Sequence, residues 1–370
     1  MKSCVIFGGA GFIGTHLARH FLRTGRFRHV HLADIRTSPL VGEKGISGSL
    51  TDVRKSIPTD LTSGRPEWIF NLAAIHREPG HNREEYFETN LAGAKNVCAY
   101  AEAVRCRNIY FTSSISVYGP TSGPADERTP IQPSTPYGSS KYAAELIHEA
   151  WKKGKSSRRL IISRPGVIYG PGDPGDILRM IRAVRKGYFA FPGSPAIYKS
   201  YGYIYGLLDS IDFVIDSSHD FVRYNYVESP TATLGELVKT VKDHFHVRAM
   251  VLPLPLWILS PLARAVQSVW GNETPIHPVR IHKAATETHI VPRVLKDLNF
   301  KFQYDFESSL KHWQVIAPRD FGKLPLSAAP DSPSPSISLK LKRGSEKAKA
   351  SSASTEGTPT TKRKVKEAVH

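Results

Sequence analysis

The chain has 370 residues, 40% of them hydrophobic, and a formal net charge of +17 at pH 7. That is enough apolar material for one large domain or two intimate ones, which excludes a small scaffold held by disulfides or metal. Three cysteines, Cys4, Cys98 and Cys106, form no C-x-x-C pair and no disulfide framework. Reduced thiols, a cytoplasmic location and no metal site are therefore expected. The charge is uneven, because residues 319–370 hold 11 Lys/Arg against 5 Asp/Glu, or +6 of the +17. The remaining +11 is spread over residues 1–318, and charge alone licenses no nucleic-acid partner, so none is expected.

Residues 2–7 read as a short, buried parallel strand bounded by glycine, with no room before it for a signal peptide. Phe12, Ile13, Leu17 and Phe21 recur at helical spacing up to about Leu22, and Gly25 is the stop. Strands follow at His29–Ala33, Glu67–Leu72, Asn108–Thr112 and Leu160–Ser163. Between them lie helices at Glu84–Arg105 and Pro136–Lys153, the latter with proline in its first turn. This alternation predicts a doubly wound parallel sheet with right-handed crossovers over residues 1–170. Beyond Gly170 the pattern loosens into Pro/Gly-rich loops with isolated helices such as Thr233–His244. Val251–Trp270 is apolar but interrupted by Pro253, Pro255, Pro261 and Arg264, too broken to span a bilayer. It reads as a loop and short helix covering substrate rather than a surface that skims a membrane. From about Leu326 the composition turns to Ser, Pro, Ala, Thr and Lys, which cannot offset the entropy of ordering. A solvated, disordered tail is expected, its Lys362–Lys366 run resembling a short basic address.

Gly8-Gly9-Ala10-Gly11-Phe12-Ile13-Gly14 sits between the first strand and the first helix. Glycines there let backbone N–H groups and the helix N-terminus approach a pyrophosphate that any β-carbon would hold off. Asp34, 20 residues after Gly14 at the end of the second strand, is placed to accept hydrogen bonds from adenosine ribose and to repel a 2′-phosphate. Arg36 would instead welcome that phosphate; on balance the residues favour NAD over NADP. Phe12 and Ile13 supply loop backbone. Leu72, Ala73 and Ala74, after Asn71, offer small residues where a cofactor passes close to the chain.

Tyr137 and Lys141 lie four apart on one helix, hence on one face. A phenol with an ordinary pKa near 10 is a poor base at neutral pH, and a neighbouring ammonium lowers it. The same lysine is placed to reach a nicotinamide ribose. The stretch Thr112–Gly119 opens at the C-terminal end of the fifth strand, where ligand crevices of such sheets lie. Ser113 and Ser116 compete there as the hydroxyl that would bind the substrate oxygen.

Together, Phe7–Gly14, Asn71–Ala74, Ser113–Gly119, Pro136–Glu145 and Arg164–Pro171 resemble the extended short-chain dehydrogenase/reductases, most closely the nucleotide-sugar epimerase and dehydratase group. The likeness is continuous over residues 1–175 and thinner to about 315. It implies a Rossmann-type NAD-binding domain over 1–175 that carries the catalytic triad, a mainly substrate-binding region over 176–318, and a disordered tail over 326–370. It also implies catalytic Ser114, Tyr137 and Lys141, and a homodimer paired through the two long helices. Where dehydratases carry Asp-Glu after the catalytic hydroxyl, this chain has Ile115-Ser116, which argues against dehydration. A cysteine used by some epimerase-reductases is absent from this loop. Val167 replaces an asparagine usual in sugar-nucleotide epimerases, and Ser49 an aspartate that often contacts adenine. The resulting expectation is an NAD-dependent nucleotide-sugar 4-epimerase with a transient 4-keto intermediate, Ser114 and Ser116 at the sugar and Arg179 or Lys199 at the diphosphate. An NAD(P)-dependent sugar 4-reductase, or a 3β-hydroxysteroid-type dehydrogenase acting on a lipophilic alcohol, is the alternative that Val167 and the apolar Leu252–Leu262 segment suit. An NAD-binding protein without catalysis is the third reading, against which the intact triad argues.

Overall fold

A computed structural model describes residues 2–322 apart from 77–79, 122, 174 and 271–277. The expected tail and its basic run lie outside the described residues. The first half runs β1 (Ser3–Phe7), α1 (Phe12–Thr24), β2 (His29–Asp34), β3 (Ile46–Leu50), β4 (Trp68–Asn71), α2 (Arg83–Ala103), β5 (Asn108–Thr112), α3 (Pro136–Lys153) and β6 (Arg159–Pro165), alternating except from β2 to β4. Then come β7 (Val167–Tyr169), α4 (Asp176–Arg185), β8 (Tyr188–Pro192), β9 (Tyr201–Tyr203), α5 (Ile204–Asp216), β10 (Phe221–Tyr226) and α6 (Leu234–Phe245). The described chain closes with β11 (Met250–Leu254), α7 (Leu256–Trp270), α8 (Pro278–Ala285), α9 (Arg293–Asp297) and α10 (Phe306–Ile316).

Seven parallel strands form the central sheet in the order β10-β6-β5-β4-β1-β2-β3. Two of them had no sequence signal. β3 is a half-exposed edge strand with three glycine or serine positions and two apolar ones, and β10 comes from beyond residue 175. Because side chains alternate across a strand, each buried strand feeds two layers. Cys4, Ile6, Val30, Leu32 and Phe70 pack with Leu17 and Phe21 of α1 and Leu207 and Ile211 of α5. Val5, Phe7, Ile69, Ile109 and Phe111 pack on the other face with Ala94 and Val97 of α2 and Ala144 of α3. The strand order reverses between β1 and β4, so their C-terminal ends open a crevice at that point.

α3 carries more than an apolar face. Thr135 caps its N-terminus by accepting from the Gly138 N–H at 3.1 Å, and Pro136 opens it. One turn past Lys141, Glu145 takes both forks of Arg164 from β6 (Nε–Oε1 2.8 Å, Nη2–Oε2 2.6 Å), with both residues buried. Arg164 also donates to the Tyr118 hydroxyl at 2.9 Å, which donates to Asn225 Oδ1 on β10 at 2.9 Å. Removing one member strands a buried charge, so Glu145→Ala is expected to lose about 3–5 kcal/mol of stability. Urea unfolding of the two proteins measures this, and a loss under about 1 kcal/mol would show that the seat of α3 does not depend on the pair.

Candidate active site

The glycine turn closes over the crevice because it has no side chains. Gly8 has φ +79°, and a β-carbon on it would stand 2.8 Å from the Ala73 nitrogen and the Leu72 carbonyl carbon. A β-carbon on Gly14 would collide with the Gly8 carbonyl oxygen. The start of α1 is thus pressed against the ends of β1 and β4. No side chain caps α1 at Gly11, and its first turn holds no acid, so the Phe12 and Ile13 end of the helix presents an uncancelled positive dipole. Asp34 accepts the Ala10 N–H at 3.0 Å through one oxygen and the Arg36 N–H at 3.1 Å through the other. A carboxylate has about four acceptor sites, so these bonds aim the group while leaving capacity for two hydroxyls. The Arg36 side chain is exposed beside it. Ser49 is already engaged, by the His31 ring at 2.9 Å and the Thr51 hydroxyl at 2.8 Å. This cradle, which a β-carbon would fill, fits a dinucleotide.

Sixty residues on, the chain assembles the second half of the site. β5 ends at Thr112 and runs into a single 3₁₀ turn, Ile115–Val117. Ser114 caps that turn, its hydroxyl accepting the Ser116 N–H at 3.1 Å and donating to the Ser116 hydroxyl at 3.2 Å. Ser113 points elsewhere, its hydroxyl buried without a protein partner. Gly138 lets the start of α3 meet the turn, since a β-carbon there would strike the Ser116 carbonyl oxygen. That contact brings Tyr137 to the same loop as Ser114 and Ser116. Tyr137 is half-buried, its ring 6.2 Å from that of Tyr86 on α2.

Lys141 is buried and donates from Nζ to the Thr112 carbonyl oxygen at 2.6 Å, 4.8 Å from the centre of the Phe111 ring. Burial pulls its pKa down to about 7, against the opposing pull of the Glu145 carboxylate. His148, one further turn along α3, stacks on Phe111 with ring centres 4.2 Å apart. Its Nδ1 faces the Ala144 carbonyl oxygen at 2.7 Å and so carries the proton, leaving Nε2 to accept from Asn71 Nδ2 at 3.3 Å. Burial holds the His148 pKa down at about 4, so the ring adds no charge beside Lys141. Asn90 of α2 accepts the Ile75 N–H at 3.1 Å and donates to the Ser140 hydroxyl at 2.8 Å, tying the segment after Ala74 to α3.

The structure thus brings Ser114, Ser116, Tyr137 and Lys141 to one loop, and Gly8, Gly11, Phe12, Ile13, Gly14, Asp34, Leu72, Ala73 and Ala74 to the ends of β1, β2 and β4. Lys199 is differently occupied: it is buried, and its ammonium donates to the carbonyls of Lys283 (3.0 Å) and Thr286 at the end of α8. Arg179 sits on the exposed side of α4, paired with Asp176 at 2.5 Å. Glu145, His148 and Asn90 were missed from sequence. Glu145 had a signal, since Tyr137, Lys141 and Glu145 form one i, i+4, i+8 stripe; the other two depend on tertiary contacts alone.

A model of the NAD dependent epimerase/dehydratase family matches residues 4–217, and the chain belongs to that family. It is an enzyme of the extended short-chain dehydrogenase/reductase type. Among curated relatives, N-acetyl-alpha-D-glucosaminyl-diphospho-ditrans,octacis-undecaprenol 4-epimerase of Escherichia coli O157:H7 is 28% identical, over 83% of this chain and 96% of its own length. The decarboxylating sterol-4-alpha-carboxylate 3-dehydrogenase of Saccharomyces cerevisiae is 24% identical, over 84% and 96%. Among solved structures, UDP-glucuronic acid 4-epimerase from Bacillus cereus, in complex with UDP-glucuronic acid and NAD, superposes with a TM-score of 0.67 at 17% identity, covering 84% of this chain and 98% of that one.

The Lys141 pKa has a consequence for stability. With the folded value below the unfolded 10.5, the unfolded chain holds this proton more tightly through that window. The contribution of the group is then present in full above about pH 10.5 and lost as pH falls toward about 7. Lys141→Met removes the dependence, so the difference in unfolding free energy between wild type and variant is expected to change between pH 7 and pH 10. A difference that stays flat would mean the ammonium keeps its water.

Proposed function

We propose that this enzyme is an NAD-dependent 4-epimerase of a nucleotide sugar or a closely similar diphosphate-linked sugar, working through a transient 4-keto intermediate. The observation that carries the reading is the placement of Tyr137 and Lys141 on one face of α3, with the lysine buried and fastened to the end of β5 beside Ser114. Gly8, Gly11, Gly14 and the Phe12–Ile13 end of α1 would hold the pyrophosphate of NAD, Asp34 its adenosine ribose, and Leu72, Ala73 and Ala74 would line its path. Bound there, NAD supplies a reversible acceptor for the two electrons and hydrogen of a C–H bond.

Tyr137 takes the C4 hydroxyl proton as phenolate. An ammonium at Lys141 favours that phenolate, and it has hydrogens to spare for a ribose after its bond to Thr112. Ser114 donates to the developing carbonyl oxygen, with Ser116 behind it. After the 4-keto sugar has turned over, so that C4 would regain its hydrogen on the opposite face, Tyr137 returns the proton to the C4 oxygen. Because no net oxidation occurs, NAD is expected to stay bound between turnovers.

Ile115-Ser116 in place of Asp-Glu supports this reading over dehydration. The E. coli relative, by its name, acts at C4 of a sugar on a lipid diphosphate, so the common element is the diphosphate rather than the nucleoside. A second reading, an NAD(P)-dependent sugar 4-reductase or 3β-hydroxysteroid-type dehydrogenase, is favoured by the sterol relative and by the exposed Val167 side chain. The half-exposed Leu146 on α3, which packs beside α2, supports a homodimer through these helices. Buried thiols at all three cysteines support a reducing, cytoplasmic setting.

The test is incubation of purified protein with NAD and a panel of nucleotide hexoses and N-acetylhexosamines, resolving products by C4 configuration. Epimer without accumulating NADH is expected; turnover only with added NAD(P)H and a ketone would move the assignment to the second reading. Tyr137→Phe should lower kcat by about 10²–10⁴-fold while leaving NAD binding intact. Asp34→Ala, which removes the ribose acceptor and leaves Arg36 in place, should shift preference from NAD toward NADP. Unchanged preference would take Asp34 out of the cofactor site.

A further inference from the structure

The region expected to be a loop and short helix is a continuous helix with an unusual surface. α7 runs through Pro261 for 15 residues, and its one charged side chain is Arg264. Among its described residues only Ala263 is buried, and Trp257 is 76% exposed. Trp257, Ile258, Pro261 and Ala265 mark its open face at helical spacing. Ser260, Arg264, Gln267 and Ser268 fall on one side of the helix, and the apolar Trp257, Ile258 and Pro261 beside them lie outside the core.

A single residue, Pro255, joins α7 to β11, which pairs with β8 as a two-stranded parallel ribbon. Phe189, Phe191 and Val251 face the core. The opposite face sets Met250 beside Tyr188 and Leu252 beside Ala190, with Met250 68% exposed. α8 packs on both β8 and α7. Exposed Lys186 and Arg248 flank the same end of the ribbon, and Arg264 is exposed on α7. Neither the ribbon nor α7 nor α8 contains an aspartate or glutamate.

We infer that this face docks on the surface of an anionic bilayer. An apolar strip with a tryptophan at its edge and exposed Lys186, Arg248 and Arg264 around it is the composition that inserts at the level of the headgroups while cations meet lipid phosphates. No helix among the described residues is long and apolar enough to cross a membrane, so the contact is peripheral. The inference stands independently of the proposed reaction.

Flotation of the full-length protein with vesicles tests it, using phosphatidylcholine alone and phosphatidylcholine mixed with phosphatidylglycerol. Expected is binding to the mixed vesicles, weakened about tenfold or more by Trp257→Ser with Ile258→Ser. Lys186→Glu with Arg248→Glu should abolish the preference for anionic vesicles. The thermal melt and turnover of a soluble nucleotide sugar should be unchanged in both variants, since these side chains are exposed. Three results would overturn the inference: no binding by the wild type; equal binding by the Trp257/Ile258 variant, which would put the contact on another cationic part such as residues 323–370; or dissociation of an oligomer by that variant without loss of vesicle binding. Loss of turnover in the wild type would bear on the proposed reaction alone.

Discussion

The seat of α3 against the ends of β5 and β6 is the constraint on which the rest of the site depends. Two charges are taken out of water there, and neither can stay buried without a partner. Arg164 is held by both oxygens of Glu145, and Lys141 by the Thr112 carbonyl oxygen. These bonds set the height and rotation of the helix, and hence where Tyr137, one turn earlier, presents its phenol. Gly138 then removes the one β-carbon that would keep the helix off the Ser116 carbonyl. A lysine desolvated and tethered in this way keeps its place on the face of α3 that it shares with Tyr137.

Much of this was legible in the sequence, because it rests on local spacing. The glycine turn, Asp34 at the end of the second strand, and the four-residue step from Tyr137 to Lys141 are patterns that need no tertiary knowledge. The strands β1, β2, β4, β5 and β6 are short apolar runs of the kind parallel sheets bury on both faces. β10 was hidden because Arg223, Tyr224 and Asn225 look polar. In the fold, the Tyr224 hydroxyl meets that of Tyr110 at 3.1 Å and Asn225 accepts from Tyr118. β3 was hidden because Ser47 and Ser49 serve the His31 ring rather than a core. Lys199 misled for a related reason: a conspicuous cation in the substrate half of the chain turned out to close the end of α8.

The same logic explains α7. Three prolines within and before the segment suggested a loop, yet proline is tolerated where it opens a helix, and Pro261 lies where the helix faces solvent. What periodicity could not show is that Trp257, Ile258 and Pro261 stay uncovered. The two halves of the molecule are chemically consistent. A crevice built for diphosphates stands on a body with a net positive charge, and an apolar, cation-edged face lies on the side of β8 and β11. An enzyme that turns a sugar over at C4 gains from any device that keeps the diphosphate end of its substrate still while the ring is free to rotate.

The central claim is that one hydrogen leaves C4 and returns to C4 within a single bound complex. It is tested most directly with a nucleotide sugar deuterated at C4, followed by mass spectrometry and NMR of the epimerised product. Retention of the deuterium at C4, with none passing to solvent or to free reduced cofactor, is the expected result. Loss of the label into released NADH, or product formed only when external reduced cofactor is consumed, would contradict it and make the protein a net oxidoreductase.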